Sequence, residues 1–172
     1  MFEFLFPFFL IVLFILVLAI IWRNNARKYI STSTVASAYD AWTKDKLLER
    51  LWGEHIHLGF YPSEVKNIDF RKAKVQFVHE LVKWSGLDKL PQGSRILDVG
   101  CGIGGSSRIL AEYYGFNVTG ITISPAQVKR ARELTPHELK CTFQVMDALD
   151  LKFEDGSFDA VCSVEAGAHM ND

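Results

Sequence analysis

Four residues in the middle of this 172-residue chain have the types and the spacing of a small-molecule site. Asp98 lies at the end of a short apolar run, and Gly100, Gly102 and Gly104 follow it at every second position before a helical pattern begins. Glycines allow a sharp backbone turn and let a ligand approach without meeting a Cβ atom. A P-loop would carry Lys-Ser/Thr after the last glycine, whereas Ser106-Ser107 stands here, so a Walker-type phosphate site is disfavoured.

The charge of Asp98 decides between two kinds of nucleotide ligand. Gly100, Gly102 and Gly105 also fit the G-x-G-x-x-G pattern of dinucleotide sites, but a carboxylate at the end of the strand would repel a pyrophosphate. S-adenosylmethionine instead carries a cationic ammonium and a cationic sulfonium. The segment resembles the D-x-G-x-G-x-G pattern of S-adenosylmethionine-dependent methyltransferases, so we predict this cofactor. A glycine turn with no ligand is the alternative.

Strands and helices alternate around this turn. After a first strand that begins at Arg95, the pattern predicts a helix that runs to about Tyr114 and further strands at Asn117–Ile121, Cys141–Val145 and Phe158–Ser163. This order predicts an α/β fold, the first half of a doubly wound parallel sheet of the Rossmann-like class I methyltransferase type. The expected strand order is third, second, first, fourth. Because such sheets normally have seven strands, residues 91–172 are expected to be a truncated half-domain, and the 172-residue chain an inactive N-terminal fragment.

The first 22 residues form an apolar segment. Phe4 to Trp22 contains no charged residue, and as a helix it is about 28 Å long, close to the ~30 Å hydrocarbon core of a bilayer. Three basic residues follow, Arg23, Arg27 and Lys28, and the positive-inside rule places them in the cytoplasm. We therefore predict a single-pass transmembrane anchor at 1–22 and a polar linker at 23–34, with the remaining chain on the cytoplasmic side. A cleaved signal peptide and a buried core helix are the alternatives.

Residues 35–90 are predicted to form a helical lid over the glycine turn. Val35 to Leu51 has a helical pattern, and Asp69 is suited to cap a helix from Phe70 to about Ser85. Between these helices, the segment from Trp52 to Pro62 combines glycines, histidines and aromatic residues. That combination favours a loop that covers a ligand over a core element.

The composition excludes some classes of partner. Hydrophobic residues make up 49% of the chain and charged residues 23%, and the net charge is −1, which gives no electrostatic case for nucleic acid. Cys101, Cys141 and Cys162 form no C-x-x-C pair and are predicted to be small buried thiols. His55 and His57 have a spacing that a metal ion accepts, but no cysteine or further histidine completes the set, so no metal is predicted.

Five segments of the chain resemble one enzyme family. They are Tyr39-Asp40, Trp52 to Gly59, the glycine turn, Gly120 to Gln127, and Val164 to Met170. The resemblance is to the 2-methyl-6-phytyl (or solanyl) benzoquinol and tocopherol methyltransferases, bacterial-type enzymes of tocopherol and plastoquinone synthesis in photosynthetic organisms. It extends from about Ser31 to the end of the chain. The His-Ile-His-Leu-Gly and Glu-Ala-Gly-Ala-His segments are more specific to this family than the glycine turn.

The resemblance implies a role for each of several residues. It assigns cofactor contacts to Asp98, Gly100, Gly102, Gly104, Thr122, Ser124, Gln127, Asp147 and Glu165. Thr122 stands where methyltransferases in general carry an acid that binds the ribose hydroxyls, and Asp147 would accept from the adenine amino group. His169 is implied as the catalytic base, with Tyr39 as its partner from the lid and His57 as a third candidate. A structural hydrogen bond or aromatic packing is the alternative for each of these three.

The implied reaction is methylation of a ring carbon of a prenylated hydroquinone. Loss of a phenolic proton makes the ring carbon more nucleophilic, and a histidine is suited to take that proton near neutral pH. The prenyl tail of such a substrate enters the bilayer, where a membrane anchor would hold the enzyme. Three other functions stay open: γ-tocopherol methylation, sterol C-methylation, and a membrane-tethered module that binds S-adenosylmethionine without turnover.

Overall fold

The computed structural model describes residues 11–18, 20, 31–64 and 67–170. The chain divides into two units, Met1–Ile30 and Ser31–Asp172. In the first unit, residues 11–18 and 20 are helical, and the other positions of the predicted anchor, 4–10, 19, 21 and 22, lie outside the described residues. Within the described part of the chain, no helix is both long enough and apolar enough to cross a membrane.

The second unit begins with three helices and continues with alternating strands and helices. The helices are α1 (Thr32–Asp45), α2 (Leu47–Trp52) and α3 (Phe70–Ser85). The alternating part contains β1 (Arg95–Val99), α4 (Gly105–Tyr114), β2 (Asn117–Thr122), α5 (Pro125–Leu134), β3 (Cys141–Val145) and β4 (Ala160–Ser163). Two 3₁₀ turns, Leu87–Lys89 and Gly167–His169, follow α3 and β4.

Local side-chain bonds set the ends of the lid helices. α1 begins inside the stretch predicted as linker, because Thr34 Oγ1 donates to the Ser31 carbonyl at 2.7 Å. The helix predicted over Val35–Leu51 is interrupted at Lys46, which has a φ of 54°. The Leu47 amide then donates to Asp45 Oδ1 at 2.9 Å and starts α2. Asp69 caps α3 as predicted, because its side chain accepts hydrogen bonds from the backbone amides of Arg71 and Lys72.

The four strands form one parallel sheet in the order β3-β2-β1-β4, which confirms the predicted order. In β1, Asp98 lies opposite Gly120 of β2 and Cys162 of β4. β4 begins at Ala160, two residues later than predicted. The carboxylate of Asp159, directly before the strand, accepts a hydrogen bond from the Arg95 amide at 2.7 Å. This register brings the carboxyl ends of β1, β2 and β4 to one edge of the sheet, where α/β folds bind ligands.

The central strand is buried on both faces. Ile96 packs with Val82, Leu110 and Val118 on the side of α3 and α4, and Leu97 packs with Val99 and Ile121 on the other side. Alternate residues of a strand point to opposite faces, so adjacent apolar residues serve two cores. The three cysteines are free thiols; Cys101 is buried and the other two are partly buried, so the buried-thiol prediction holds in full only for Cys101.

Candidate active site

A cavity of about 300 Å³ lies at the carboxyl edge of the sheet. The lid contributes Val35, Tyr39 and residues 54–57 to its lining, and the sheet contributes the loops after all four strands. Its size falls at the lower end of small-molecule sites. Nine of the predicted site residues line it: Tyr39, His57, Asp98, Gly100, Gly102, Thr122, Gln127, Asp147 and Glu165.

The three glycines of the turn have positive φ angles but different surroundings. A Cβ atom on Gly104 would lie 2.7 Å from the Phe143 ring, so this glycine allows α4 to start against β3 and does not line the cavity. A Cβ atom on Gly100 would collide with Ala166 of the loop after β4. At Gly102, with φ of 57°, nothing lies within 4 Å of the Cβ position. Gly102 is therefore the glycine of the motif that faces open space.

Asp98 is almost fully buried at the base of the cavity. It is 2% exposed, and its Oδ2 accepts a hydrogen bond from Ser107 Oγ at 2.6 Å. Burial raises the pKa of Asp98 to about 6, and the Ser107 hydrogen bond opposes that rise. A cation placed beside this carboxyl group would favour its charged form.

Thr122, Ser124 and Gln127 form one hydrogen-bonded unit after β2. Thr122 Oγ1 donates to Gln127 Oε1 at 2.7 Å, which leaves the Gln127 amide NH₂ as the donor group of this pair. Ser124 Oγ accepts from the Gln127 backbone amide at 3.1 Å and caps α5. Ser124 is fully buried and lies outside the cavity lining, so the structure gives it a structural role.

Two acids line the cavity from the loops after β3 and β4. Asp147 Oδ1 accepts from the Leu149 amide at 2.9 Å, which orients the carboxylate beside the apolar side chains of Met146 and Leu149. Glu165 has an unusual φ of 53°, and its Oε1 accepts from the Leu58 amide at 3.1 Å. Glu165 thus connects the loop after β4 to the lid.

Polar contacts attach the lid to the sheet half at three further places. Asp40 Oδ1 accepts from Ser124 Oγ at 2.5 Å and from the Ala126 amide at 3.1 Å, at the start of α5. Glu49 pairs with Arg130 at 2.6 Å, and Glu54 pairs with Arg108. These contacts join residues more than 50 positions apart in the sequence, so no local pattern signals them.

A buried lysine shapes the loop of the lid. Lys74 is 3% exposed, and its Nζ donates to the carbonyl oxygens of Trp52 at 3.0 Å and His55 at 2.7 Å. The same ammonium lies 4.6 Å from the centre of the Trp52 ring. Its only sequence signal is a lysine on the apolar face of α3, beside Ala73. Lys74 therefore holds the loop that carries the two histidines.

The three predicted catalytic residues occupy different positions. Tyr39 lines the cavity from α1, and burial raises the pKa of its hydroxyl, so the hydroxyl keeps its proton at neutral pH. His57 is 7% exposed and both of its ring nitrogens lie near other polar atoms. His169 lies in the 3₁₀ turn after β4, between Ala166 and Met170, which both line the cavity. Across the described residues, no group of three His, Cys, Asp or Glu side chains has the geometry to hold a metal ion.

Comparison with known proteins identifies the fold family. Residues 96–172 match the family model described as a methyltransferase domain, and this segment contains the glycine turn and all of the cavity-lining loops of the sheet. These residues belong to the methyltransferase family. The methyltransferase domain is also similar to the solved structure of a putative sarcosine dimethylglycine methyltransferase from Galdieria sulphuraria, with a TM-score of 0.63 and 28% identity over 73% of this chain and 48% of that one.

Two relatives extend the similarity to the lid. The chain is 58% identical to the 2-methyl-6-phytyl-1,4-hydroquinone methyltransferase of Synechocystis sp. over 98% of its own length and 53% of that protein. It is 42% identical to the chloroplastic tocopherol O-methyltransferase of Arabidopsis thaliana over 73% of its own length and 39% of that protein. The chain thus spans about half the length, or less, of these two relatives.

Proposed function

We propose that the cavity binds S-adenosylmethionine and transfers its methyl group to a ring carbon of a prenylated hydroquinone. The observation that carries this proposal is the shared cavity: a buried carboxyl group and an open glycine turn face Tyr39 and a histidine loop from the lid. The names of the two relatives support the substrate class. The lid segment that carries the histidines lies within the region that the 58% identical relative matches.

The cavity residues fit this cofactor in charge and in shape. Asp98 and the turn at Gly100 and Gly102 would hold the cationic methionine end, since they combine a carboxyl group with open space beside Gly102. The Gln127 amide, oriented by Thr122, would donate to the ribose oxygens. Asp147 would accept from the adenine amino group, between the apolar side chains of Met146 and Leu149.

Side chains of the protein have to accept the protons that leave the acceptor ring. When bound, S-adenosylmethionine supplies an electrophilic methyl group whose S–C bond electrons return to sulfur. Formation of the new C–C bond requires a nucleophilic ring carbon, so a hydroxyl proton has to leave first, and the proton on the methylated carbon leaves afterwards. His169 is our proposed base, and Tyr39 of the lid is its proposed partner.

A transfer assay tests the substrate class directly. The purified protein in its full length is incubated with methyl-labelled S-adenosylmethionine and 2-methyl-6-phytyl-1,4-hydroquinone, and label is counted in the organic phase. We expect label in the ring-methylated product. The 42% identity to a tocopherol O-methyltransferase favours γ-tocopherol as the second candidate acceptor. Label in γ-tocopherol alone would replace the proposed substrate, and cofactor binding without transfer to either acceptor would contradict the enzymatic function.

A lipid bilayer is the proposed partner of the lid and of the N-terminal segment. Eight large apolar side chains are exposed between residues 42 and 61 of the lid: Trp42, Leu47, Leu51, Trp52, Ile56, Leu58, Phe60 and Tyr61. Leu51 is 63% exposed and Leu58 is 66% exposed. Exposed apolar surface of this extent beside a cavity is typical of an interaction site. The apolar run Phe4–Trp22 would act as the anchor, with the methyltransferase domain on the cytoplasmic side. A chloroplast membrane is the alternative location, as the Arabidopsis relative is named as chloroplastic.

Alkaline carbonate extraction distinguishes an anchored protein from one that is bound at the surface. Membranes from expressing cells should keep the full chain in the pellet, because carbonate does not remove a spanning helix. A variant that lacks residues 1–30 should be released by the same treatment. Recovery of the full chain in the supernatant, or a mature N-terminus beyond Trp22, would contradict the anchor.

The protonation of Asp98 predicts a pH dependence for cofactor binding. With a pKa of about 6, the carboxyl group is about nine-tenths charged at pH 7 and about one-tenth charged at pH 5. Because a cationic ligand binds the charged form, we expect the Kd for S-adenosylmethionine to rise about tenfold as the pH falls from 7 to 5. Asp98→Asn should weaken binding by about 10- to 100-fold and remove the pH dependence, while Ser107 keeps its acceptor. Titration calorimetry with the exposed Asp150→Asn as control measures both effects. An Asp98→Asn Kd with the wild-type pH dependence would show that another group titrates.

A further inference from the structure

The two histidines of the lid loop are joined by a chain of hydrogen bonds. His57 Nδ1 lies 2.7 Å from the carbonyl oxygen of Leu58. His57 Nε2 lies 3.2 Å from His55 Nδ1 and 3.4 Å from Ser106 Oγ. The two ring planes are inclined by 66°, with centroids 5.1 Å apart. Both histidines line the cavity.

These contacts determine which nitrogen of each ring carries a proton. A carbonyl oxygen only accepts hydrogen bonds, so His57 Nδ1 is the donor to Leu58. In a neutral imidazole the second nitrogen is then an acceptor, and His57 Nε2 accepts. His55 Nδ1 is therefore protonated and donates to it. The remaining nitrogen, His55 Nε2, carries an unshared electron pair.

His55 Nε2 has no hydrogen-bond partner among the described residues. No side-chain nitrogen or oxygen in the described part of the chain is both buried and unpaired, so this atom is accessible. His55 also lines the cavity, so a ligand in the cavity would lie beside this ring. Gly105 makes room for the ring, because a Cβ atom at that position would lie 2.8 Å from His55 Cε1.

Burial and the neighbouring positive charges lower the pKa of His55, so its ring is neutral near pH 7. Burial, His57, Arg108 and Lys74 together lower the pKa of His55 to about 4. Burial also lowers the pKa of His57, but the Leu58 carbonyl and the Glu165 carboxylate oppose this effect. A proton taken up at His55 Nε2 is therefore better held after the Nδ1 proton of His55 moves to His57, the ring nearer to Glu165.

We infer that His55 Nε2 accepts the hydroxyl proton of the acceptor ring and that His57 is the positioning residue which fixes its tautomer. This inference rests on the proposed function. The O–H bond of the acceptor breaks, its electron pair activates the ring carbon that receives the methyl group, and the proton goes to the histidine pair. His169 then has the second task, removal of the proton from the methylated carbon. After that step the histidine pair returns its proton to the phenolate oxygen.

Nitrogen NMR of ¹⁵N-histidine-labelled protein tests the tautomers without requiring activity. We expect His55 and His57 both to carry the proton on Nδ1 near neutral pH, and His55 to stay neutral at pH 5. In His57→Phe, the His55 ring should lose its single tautomer and show a mixture. A proton on His55 Nε2 in the wild-type protein would overturn the inference, whatever the activity.

The kinetic test uses His55→Gln, which keeps a polar side chain but cannot take up a proton. We expect kcat for hydroquinone methylation to fall about 10²-fold, with an unchanged Kd for S-adenosylmethionine and loss of the acidic limb of the pH profile. His137→Gln, on an exposed turn, is the matched control and should behave as wild type. A wild-type kcat in His55→Gln would contradict the inference. A wild-type protein that methylates no hydroquinone would instead contradict the proposed function.

Discussion

Gly102→Val is expected to abolish the binding of S-adenosylmethionine while the protein stays folded. Nothing lies within 4 Å of a Cβ atom built on Gly102, which lines the cavity, so a valine side chain would start in open space at the cavity wall. The ligand would have to occupy the same space. We expect a loss of affinity of more than about 100-fold, because a close approach of backbone and ligand at such a turn tolerates no side chain. Titration calorimetry measures this loss.

A matched glycine separates blocked space from backbone strain. Gly102 has a φ of 57°, which costs a β-branched residue about 1–2 kcal/mol in any context. Gly93 has a φ of 86° and also has nothing within 4 Å of its Cβ position, but it lies in the exposed turn before β1 and outside the cavity lining. Gly93→Val should therefore lower the melting temperature as Gly102→Val does and keep the wild-type Kd. Equal affinities for both variants would show that the cofactor does not lie beside Gly102.

Local sequence signals were sufficient to predict the sheet half of the molecule. Ser124 caps α5 through its own side chain, and Gly115 ends α4 with a positive φ. The β3 bounds match the prediction, and the strand order follows from alternating strands and helices. These features depend on interactions within a few residues or on general connection rules, so a single sequence contains them.

The lid could not be predicted to the same depth. The break at Lys46 has no glycine or proline to signal it, and the position of α1 depends on the bonds from Ser124 and Ala126 to Asp40. The sequence resemblance included Asp40 but gave it no role. Long-range pairs of this kind depend on the folded arrangement of both halves. Helix propensity is a property of the local sequence and does not predict them.

Some site residues could be predicted from local sequence, whereas the roles of others depend on the folded structure. Asp98 lies near the carboxyl end of β1, and Gly102 and Asp147 lie in the loops after β1 and β3, so the edge of the sheet brings them together as the sequence predicts. Gly104 and Ser124 belong to the same motifs by sequence but serve packing and capping, because their atoms face β3 and α5. The functional partner of His57 is its neighbour His55, whose role appears only once the loop conformation fixes both rings.

The protein is expected to lose most of its turnover, but none of its cofactor affinity, when His169 is replaced by alanine. His169 lies in the turn after β4, and the residues on both sides of it, Ala166 and Met170, line the cavity. This places its backbone at the carboxyl edge of the sheet, beside the cavity. A general base contributes about 10²- to 10⁴-fold to a reaction of this kind, so we expect kcat to fall by that factor.

A ring-deuterated hydroquinone shows which proton His169 removes. If His169 takes the proton from the methylated carbon, that step becomes slow in His169→Ala, and the deuterated substrate should then react several-fold more slowly than the protonated one. In His55→Gln the hydroxyl proton is affected instead, and the same substrate pair should react at nearly equal rates. The exposed His137→Ala serves as the control for loss of a histidine. A wild-type kcat in His169→Ala, or a change confined to the Kd of S-adenosylmethionine, would exclude His169 as a base and leave the histidine pair of the lid to move both protons.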